Sequence, residues 1–528
     1  MRDFQLPGRS PVHATEGMAA TPNPLATSTA VDVLRRGGNA IDAAVAAAAV
    51  LAVVEPNQTG IGGDCFVLYA PKGQGPLIGL NGSGRAPQAA TAEWYREHGM
   101  TAIPPYNPHA VTVPGAIDAW ARVLADHGTK GFDELLQPAI RYAEQGFPVH
   151  SRISSEWHLD AERLRRDPNA ARIFLPEGRA PKPGEVVRNP QLGATLRKVA
   201  KEGRDGFYRG AVAEDIVSYL RQLGALHSLD DLANNKPDYV TPIRTAYRGL
   251  DIYQIPPNNQ GITALIMLNI LSGFDLGKLA PLSAERLHLE IEAGRLAFRD
   301  RNAFIADMAK AEVPVDALLS AAYAAEQRKY IDPRRAMTDL PPSSLSKSET
   351  VYFCVVDRDR NAVSFINSVY HGFGSGIVTP NTGIVLQNRG TSFRVDPDHP
   401  NCIAPGKRPL HTIMPGMAMK GDRAVMPYGV MGGDYQPFGH THFLTNVLDF
   451  GCDLQEALDL ARVFYAGNAV QVERGVPQEA AFGLTARGHR VELSPEPFGG
   501  GHAIWIDWQS GVLTGGSEPR MDGGAMGF

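Results

Sequence analysis

The chain has 528 residues, a formal net charge of −5 and a pI near 6.3, with 43% hydrophobic and 20% charged residues. That is the make-up of a globular protein with a large core, and nothing in it recruits nucleic acid or an anionic membrane by long-range charge. Length alone predicts about three domains, a soft prior because large α/β sandwiches can run as one unit.

The N-terminus, MRDFQLPGRSPVHATEG, has no apolar run of the kind that directs secretion. Residues 17–70 carry the clearest pattern. Pro22 and Pro24 lie in a loop; Leu25, Ala26, Thr29, Ala30, Val33 and Leu34 then recur at helical spacing and Gly37-Gly38 closes the helix. Asn39 is placed to cap a second helix, Ala40 to Val54, which is apolar all round and therefore predicted to be buried on every side. At 15 residues, with Asp42 near one end, it is too short to span a bilayer. Glu55-Pro56 stops it, and TGIGGD leads into a strand, Cys65 to Tyr69.

Residues 115–330 read mainly as helices: Ile117–Asp126, Phe132–Gln145, Gln191–Glu202, Val212–Leu223, Ile262–Leu271 and Ala284–Arg299. Tyr247 to Ile255 reads as one strand entering a turn-rich PPNNQG loop. The texture changes near Leu340. A polar stretch, PPSSLSKSE (341–349), abuts Thr350 to Val356, a strand apolar on both faces and so expected inside a sandwich. Asp357–Asn361 is a turn, and Ala362 to Ser368 returns as a second strand. Asp453 and Glu456 form a capping-box pattern before a helix reading LDLARVF, and the Gly-rich tail reads as a flexible end or as loops closing a site.

The four cysteines, Cys65, Cys354, Cys402 and Cys452, match no zinc or redox spacing. Together with the missing leader they suggest free thiols in a cytoplasmic protein. His109, His371, His411, His440, His442 and His502 show no ligand spacing beyond His440-x-His442, so no metal is expected. No glycine-rich phosphate loop stands in a useful context, so no cofactor is expected either.

Nine segments in order make the chain similar to the γ-glutamyltranspeptidase superfamily of N-terminal-nucleophile hydrolases. They are GMAATPNPLAT (17–27), GGNAIDAAVA (37–46), VEPNQTGIGGD (54–64), TVPGA (112–116), ETVYFCVVD (349–357), GKRP (406–409), GG (432–433), EALDLAR (456–462) and SEPRMDGG (517–524). The resemblance implies a four-layer αββα sandwich forming one domain, and self-cleavage between Glu349 and Thr350 into subunits of residues 1–349 and 350–528. Cleavage frees the α-amine of Thr350, a base with a pKa near 8 placed on the nucleophile itself. The resemblance further implies that Ser368 orients Thr350 and that the N–H groups of Gly432 and Gly433 form an oxyanion hole.

Several positions depart from the family. The slot of the Arg that grips a glutamyl carboxylate holds Ser83, with Arg85 nearer the Pro. The slot of the acidic residue that holds the glutamyl ammonium holds Thr391. Tyr370 replaces a polar Asn, and His411-Thr412 replace paired serines. An ammonium group left without its carboxylate is costly, so poor γ-glutamyl activity is expected. NGSGRAP, LQNRG, GKRPLHT and MGGDYQP instead resemble the branch that includes oxamate amidohydrolase. The expected reaction is hydrolysis of a small carboxylate-bearing amide, oxamate to oxalate and ammonia, with Arg85, Arg389 and His411 as candidate substrate contacts. Alternatives are a glutaryl or cephalosporin acylase, a γ-glutamyltranspeptidase, or a non-catalytic scaffold. The expected partners are the amide substrate and the two cleaved subunits, and a dimer of such heterodimers stays open.

Overall fold

The computed structural model describes residues 5, 8–338, 340 and 349–528; most of the polar 341–349 stretch lies outside them. The first two helices follow from their ends. Asn23 caps Pro24–Arg35 by accepting from the Leu25 N–H, and Pro24 stands in the first turn, where its missing N–H is not needed. Asn39 caps Ala40–Val54, and the Asp42 carboxylate accepts in return from the Asn39 N–H. All 15 residues of that helix are buried, as its all-round apolar sequence requires.

Among the described residues, two antiparallel seven-stranded sheets stack face to face. In one the order is Gly524–Gly527, Met18–Thr21, Glu349–Val356, Ala362–Tyr370, Asp64–Ala70, Ile78–Gly82, Asp238–Val240. In the other it is Val12–Ala14, Leu513–Ser517, Gly500–Ile506, Arg423–Met431, Gly416–Lys420, Leu250–Gln254, Ile243–Tyr247. Helices of the first 240 residues cover the outer face of the first sheet, and Gly261–Leu271, Ala284–Phe304 and Gln436–Leu448 cover the second. This is the predicted αββα sandwich.

Strand parity places the site. Val351, Phe353 and Val355 pack into the helix layer, while Tyr352, Cys354 and Val356 pack between the sheets. With side chains alternating, Thr350 falls on the inter-sheet face, and Ser368 shares that face with Ser364 and Ile366 on the neighbouring strand. The register slips between Glu349 and Val351, so one residue, Thr350, stands opposite two, Ser368 and Val369. Bulges of this kind re-aim a side chain.

Four elements differ from the sequence reading. Phe132–Gln145 divides into Phe132–Leu135 and Gln137–Gln145, because Pro138 cannot donate into a continuous helix. The strand expected over Tyr247–Ile255 is a hairpin, Ile243–Tyr247 with Leu250–Gln254, turned by Arg248 and Gly249 at φ 47° and 84°; two left-handed residues make such a turn. The helix capped by Asp453 ends at Asp459, and Val463–Ala466 is a strand. The Gly-rich tail is not loose: Gly524–Gly527 pairs with Met18–Thr21. Among the described residues no helix is long and apolar enough to cross a membrane.

Candidate active site

Thr350 is buried at the start of its strand, and its Oγ1 donates to Ser368 Oγ at 3.3 Å. Ser368 Oγ also accepts from the Tyr370 N–H at 2.8 Å and from Arg389 Nη2 at 3.3 Å. Tyr370 holds φ +83°, a left-handed conformation a tyrosine avoids unless its surroundings enforce it. That bend aims its amide at Ser368.

Arg389 is fully buried. Its Nη1 donates to Thr412 Oγ1 at 2.8 Å and its guanidinium lies 3.8 Å from the centre of the Tyr370 ring. Burial brings its pKa down to about 10, against the pull of Tyr370, Asp64 and Asp434. Among the described residues no carboxylate forms an ion pair with it; its side-chain hydrogen bonds end on the neutral hydroxyls of Ser368 and Thr412.

Gly432 and Gly433 close the Arg423–Met431 strand and open the turn into the Gln436–Leu448 helix, with φ of +120° and +58°. A Cβ on Gly432 would stand 2.9 Å from the Cα of Gly499. The pair is fixed from behind. Gln260 Nε2 donates to the carbonyls of Gly433 at 2.9 Å and Thr412 at 2.7 Å, while Gln260 Oε1 accepts from Arg301 Nη1 at 2.8 Å. Arg301 in turn forms a buried ion pair with Asp434. The amides of this turn lie at a helix N-terminus, where negative charge is favoured.

A cavity of about 330 Å³ opens onto Thr350 and Gly432. Leu159, Met431, Tyr435, Phe464, Phe498 and Met521 give it apolar walls; Gln58, Arg152, Glu156, Gln471 and Glu496 supply the polar groups. Glu156 accepts from Gln58 at 2.6 Å and Asn57 at 2.8 Å and pairs with Arg152 at 2.6 Å. A larger groove, about 620 Å³, runs over the outer helix layer between Pro24–Arg35 and Gln137–Gln145, away from Thr350.

The structure thus brings together Thr350, Ser368, Arg389, Gly432 and Gly433, with Thr350 and Gly432 on the cavity wall and Arg389 behind it, joined to Thr350 through Ser368, and places the other two candidates elsewhere. Arg85 pairs with Asp238 at 2.9 Å, an acid it shares with Arg408, and donates to the Gly406 carbonyl; it does not line the cavity. His411 is fully buried, its Nε2 2.9 Å from Asp64 Oδ2 and its ring edge-on to Phe66. Burial and nearby Arg389 depress its pKa to about 3, against the pull of Asp64, so it donates to Asp64 as a neutral ring. The same carboxylate accepts from the amides of Gly84 and Gly115, which makes this pair a brace between loops. The His440-x-His442 pair lies buried within the Gln436–Leu448 helix; His440 meets Gln254, and His442 meets Arg286 and Glu290. Sequence reading missed Gln260, Arg301 and Asp434. Its signals for that group were the PPNNQG loop, read there as a turn, and MGGDYQP, which carries Asp434 but was read only as a family motif.

A sheet sandwich with a hydroxyl residue at the head of an inner strand, facing paired glycines at the end of a strand in the opposite sheet, defines an N-terminal-nucleophile amidohydrolase. The gamma-glutamyltranspeptidase family model matches residues 26–528, and the chain belongs to that family. It is 38% identical over 527 residues to the glutathione hydrolase-like YwrD proenzyme of Bacillus subtilis (strain 168), covering 98% of this chain and 99% of the relative. It is 37% identical over 533 residues to the oxamate amidohydrolase proenzyme of Klebsiella pneumoniae, with 98% and 99% covered. Among solved structures, cephalosporin acylase from Bacillus halodurans superposes with a TM-score of 0.93 at 42% identity, over 100% of this chain and 99% of that one.

Proposed function

We propose that the chain cuts itself between Glu349 and Thr350 and then hydrolyses amides whose acyl half is short and carries a carboxylate. Thr350 Oγ1 adds to the amide carbonyl while the freed α-amine takes its proton and passes it to the departing nitrogen. Gly432 and Gly433 donate N–H groups to the tetrahedral oxyanion, and water then hydrolyses the threonyl ester. Ser368 holds the nucleophile.

The observation that carries the substrate class is Arg389. A buried cation that holds two neutral hydroxyls and the face of Tyr370, and pairs with no carboxylate among the described residues, is costly, and a substrate carboxylate would complete it with charge-assisted hydrogen bonds. It stands two hydrogen bonds from Thr350 through Ser368, a span that suits a short acyl group. Oxamate is the smallest member of the class. The 330 Å³ cavity exceeds what an ammonia leaving group requires, and its apolar wall favours a second reading, an acylase releasing a bulky amine. Thr391, whose hydroxyl donates to the Ile103 carbonyl at 2.6 Å, supplies no charge for a glutamyl ammonium.

The test is intact mass followed by parallel turnover. Wild-type protein should yield two fragments, and Thr350→Ala a single 56.9 kDa chain. Ammonia release from oxamate and nitroaniline release from glutaryl-p-nitroanilide should both exceed turnover of γ-glutamyl-p-nitroanilide. Arg389→Met should raise KM for the carboxylate-bearing amides. Processing of Thr350→Ala, a preference for the γ-glutamyl substrate, or unchanged kinetics in Arg389→Met would overturn the corresponding part.

A further inference from the structure

Three buried side chains outside the cavity converge from distant parts of the sequence. His288 and Glu292 stand one turn apart on the Ala284–Phe304 helix, and His489 follows the Gln478–Ala486 helix. One ring nitrogen from each histidine and one carboxylate oxygen lie within 4.8 Å of one another. His288 Nδ1 and His489 Nε2 are 2.8 Å apart.

The surroundings fix two of the three donors. His288 Nε2 donates to the Asp332 carbonyl at 2.8 Å, which sets the tautomer and leaves the Nδ1 lone pair facing His489. Glu292 accepts from Arg295 Nη1 at 2.7 Å and from the Met337 N–H at 2.8 Å. A histidine whose far nitrogen is tied to a carbonyl, beside a carboxylate that is itself hydrogen-bonded, is how proteins orient metal ligands. The nearby cations are not left over: Arg295 pairs with Glu292 and Arg487 with Glu285.

We propose that His288, Glu292 and His489 form a binding site for a divalent transition-metal ion of the zinc class. Two imidazole nitrogens and a carboxylate oxygen are zinc ligands. With bonds of about 2.0–2.1 Å in tetrahedral geometry, donor atoms lie about 3.3 Å apart, so the two rings need to part by only about half an ångström. In the metal-free protein the same atoms make one hydrogen bond, His489 Nε2–H to His288 Nδ1.

The site also has a structural consequence. His288 and Glu292 precede Thr350 and His489 follows it, so the ion joins the two fragments; that consequence rests on the cleavage proposed above, and the ion site does not. The loop that carries His489 also holds residues 333–336 of the first fragment, with the Ala336 N–H donating to the Arg487 carbonyl at 2.7 Å and Arg487 Nε donating to the Pro333 carbonyl at 3.2 Å.

The experiment uses full-length processed protein stripped with a chelator and dialysed. Titration with zinc chloride by calorimetry should show one equivalent bound at micromolar Kd or tighter, with a rise in thermal midpoint, since a ligand that binds only the folded state stabilises it. Cobalt should give the absorption of a four-coordinate ion. His489→Gln and Glu292→Gln should each lose the equivalent. No stoichiometric uptake, or uptake unchanged in His489→Gln, overturns the proposal. Should those variants fail to fold, X-ray absorption of zinc-loaded wild type decides: two imidazole nitrogens with oxygen at about 2.0–2.1 Å support the site, and sulfur or oxygen-only ligation refutes it. Thr350→Ala should bind the same equivalent, which keeps this result separate from the test of cleavage.

Discussion

Replacing Gly432 by alanine is the sharpest probe of the proposed oxyanion role of this turn. At φ +120° an alanine is strained by at least the roughly 1–2 kcal/mol of a left-handed residue. Its Cβ would stand 2.9 Å from the Cα of Gly499, closer by about 0.6–1.1 Å than carbon atoms rest. That contact and the one at 3.3 Å to the Gly499 N are backbone, so the turn itself has to shift and the Gly432 and Gly433 amides move with it. A displacement of that size can cost about 10²-fold in rate, and loss of one oxyanion donor about 10²–10³-fold, roughly 2.7–4 kcal/mol. The expected result is a kcat lower by two to three orders of magnitude with KM little changed, measured on processed protein. Gly421→Ala is the control. Gly421 has φ +62° with nothing within 4 Å of its Cβ position, so it shares the strain without disturbing the site. A kcat within threefold of wild type for Gly432→Ala, or an equal loss in Gly421→Ala, would refute the reasoning.

Two further predictions concern buried carboxyls. Glu55 is held well above the usual carboxylate range by burial and then by neighbouring Glu156. Its contribution to stability is present in full below the unfolded pKa near 4.3 and is lost as pH rises toward the folded value. Glu55→Gln should therefore raise the thermal midpoint by more at pH 8 than at pH 4; an equal or opposite change would contradict it. Glu518 behaves in the reverse sense: burial pushes it up, but Arg462 and Arg520 prevail and bring it down to about 2. Its contribution is present above about pH 4.3 and disappears as pH falls toward 2. Glu518→Gln should destabilise by about 3–5 kcal/mol at pH 7, the cost of breaking a buried pair, with the gap to wild type narrowing in denaturant titrations at pH 3.

How far the site can be read in the sequence follows from the range of the interactions involved. The buried Ala40–Val54 helix, its Asn39 cap and the paired strands after Thr350 are local patterns, and each stands where expected. The glycines at 432 and 433 are legible as a turn, but the approach of Gly432 to Gly499 is not, because it depends on a loop 67 residues later in the sequence. Arg85, Arg389 and His411 look alike as isolated polar residues near motifs. What separates them is the partner: Asp238 for Arg85 and Asp64 for His411, while Arg389 meets two hydroxyls and the Tyr370 ring and, among the described residues, no carboxylate. Pairing across more than 150 residues leaves no periodicity, and His288 with His489 escaped notice for the same reason.

The order of strands gives the molecule a history. Met18–Thr21 lies between Gly524–Gly527 and Glu349–Val356 in one sheet, while Val12–Ala14 and Leu250–Gln254 flank strands from the C-terminal part in the other. Each sheet is woven from segments on both sides of Thr350, so neither piece alone contains a complete layer. Such a weave can be assembled while the backbone is continuous, with one piece guiding the other into register. The proposed cut before Thr350, made afterwards, would erase the connection that did the guiding without loosening any strand. The mature protein would then persist as long as it stays folded, and a molecule that once came apart would have no short route back.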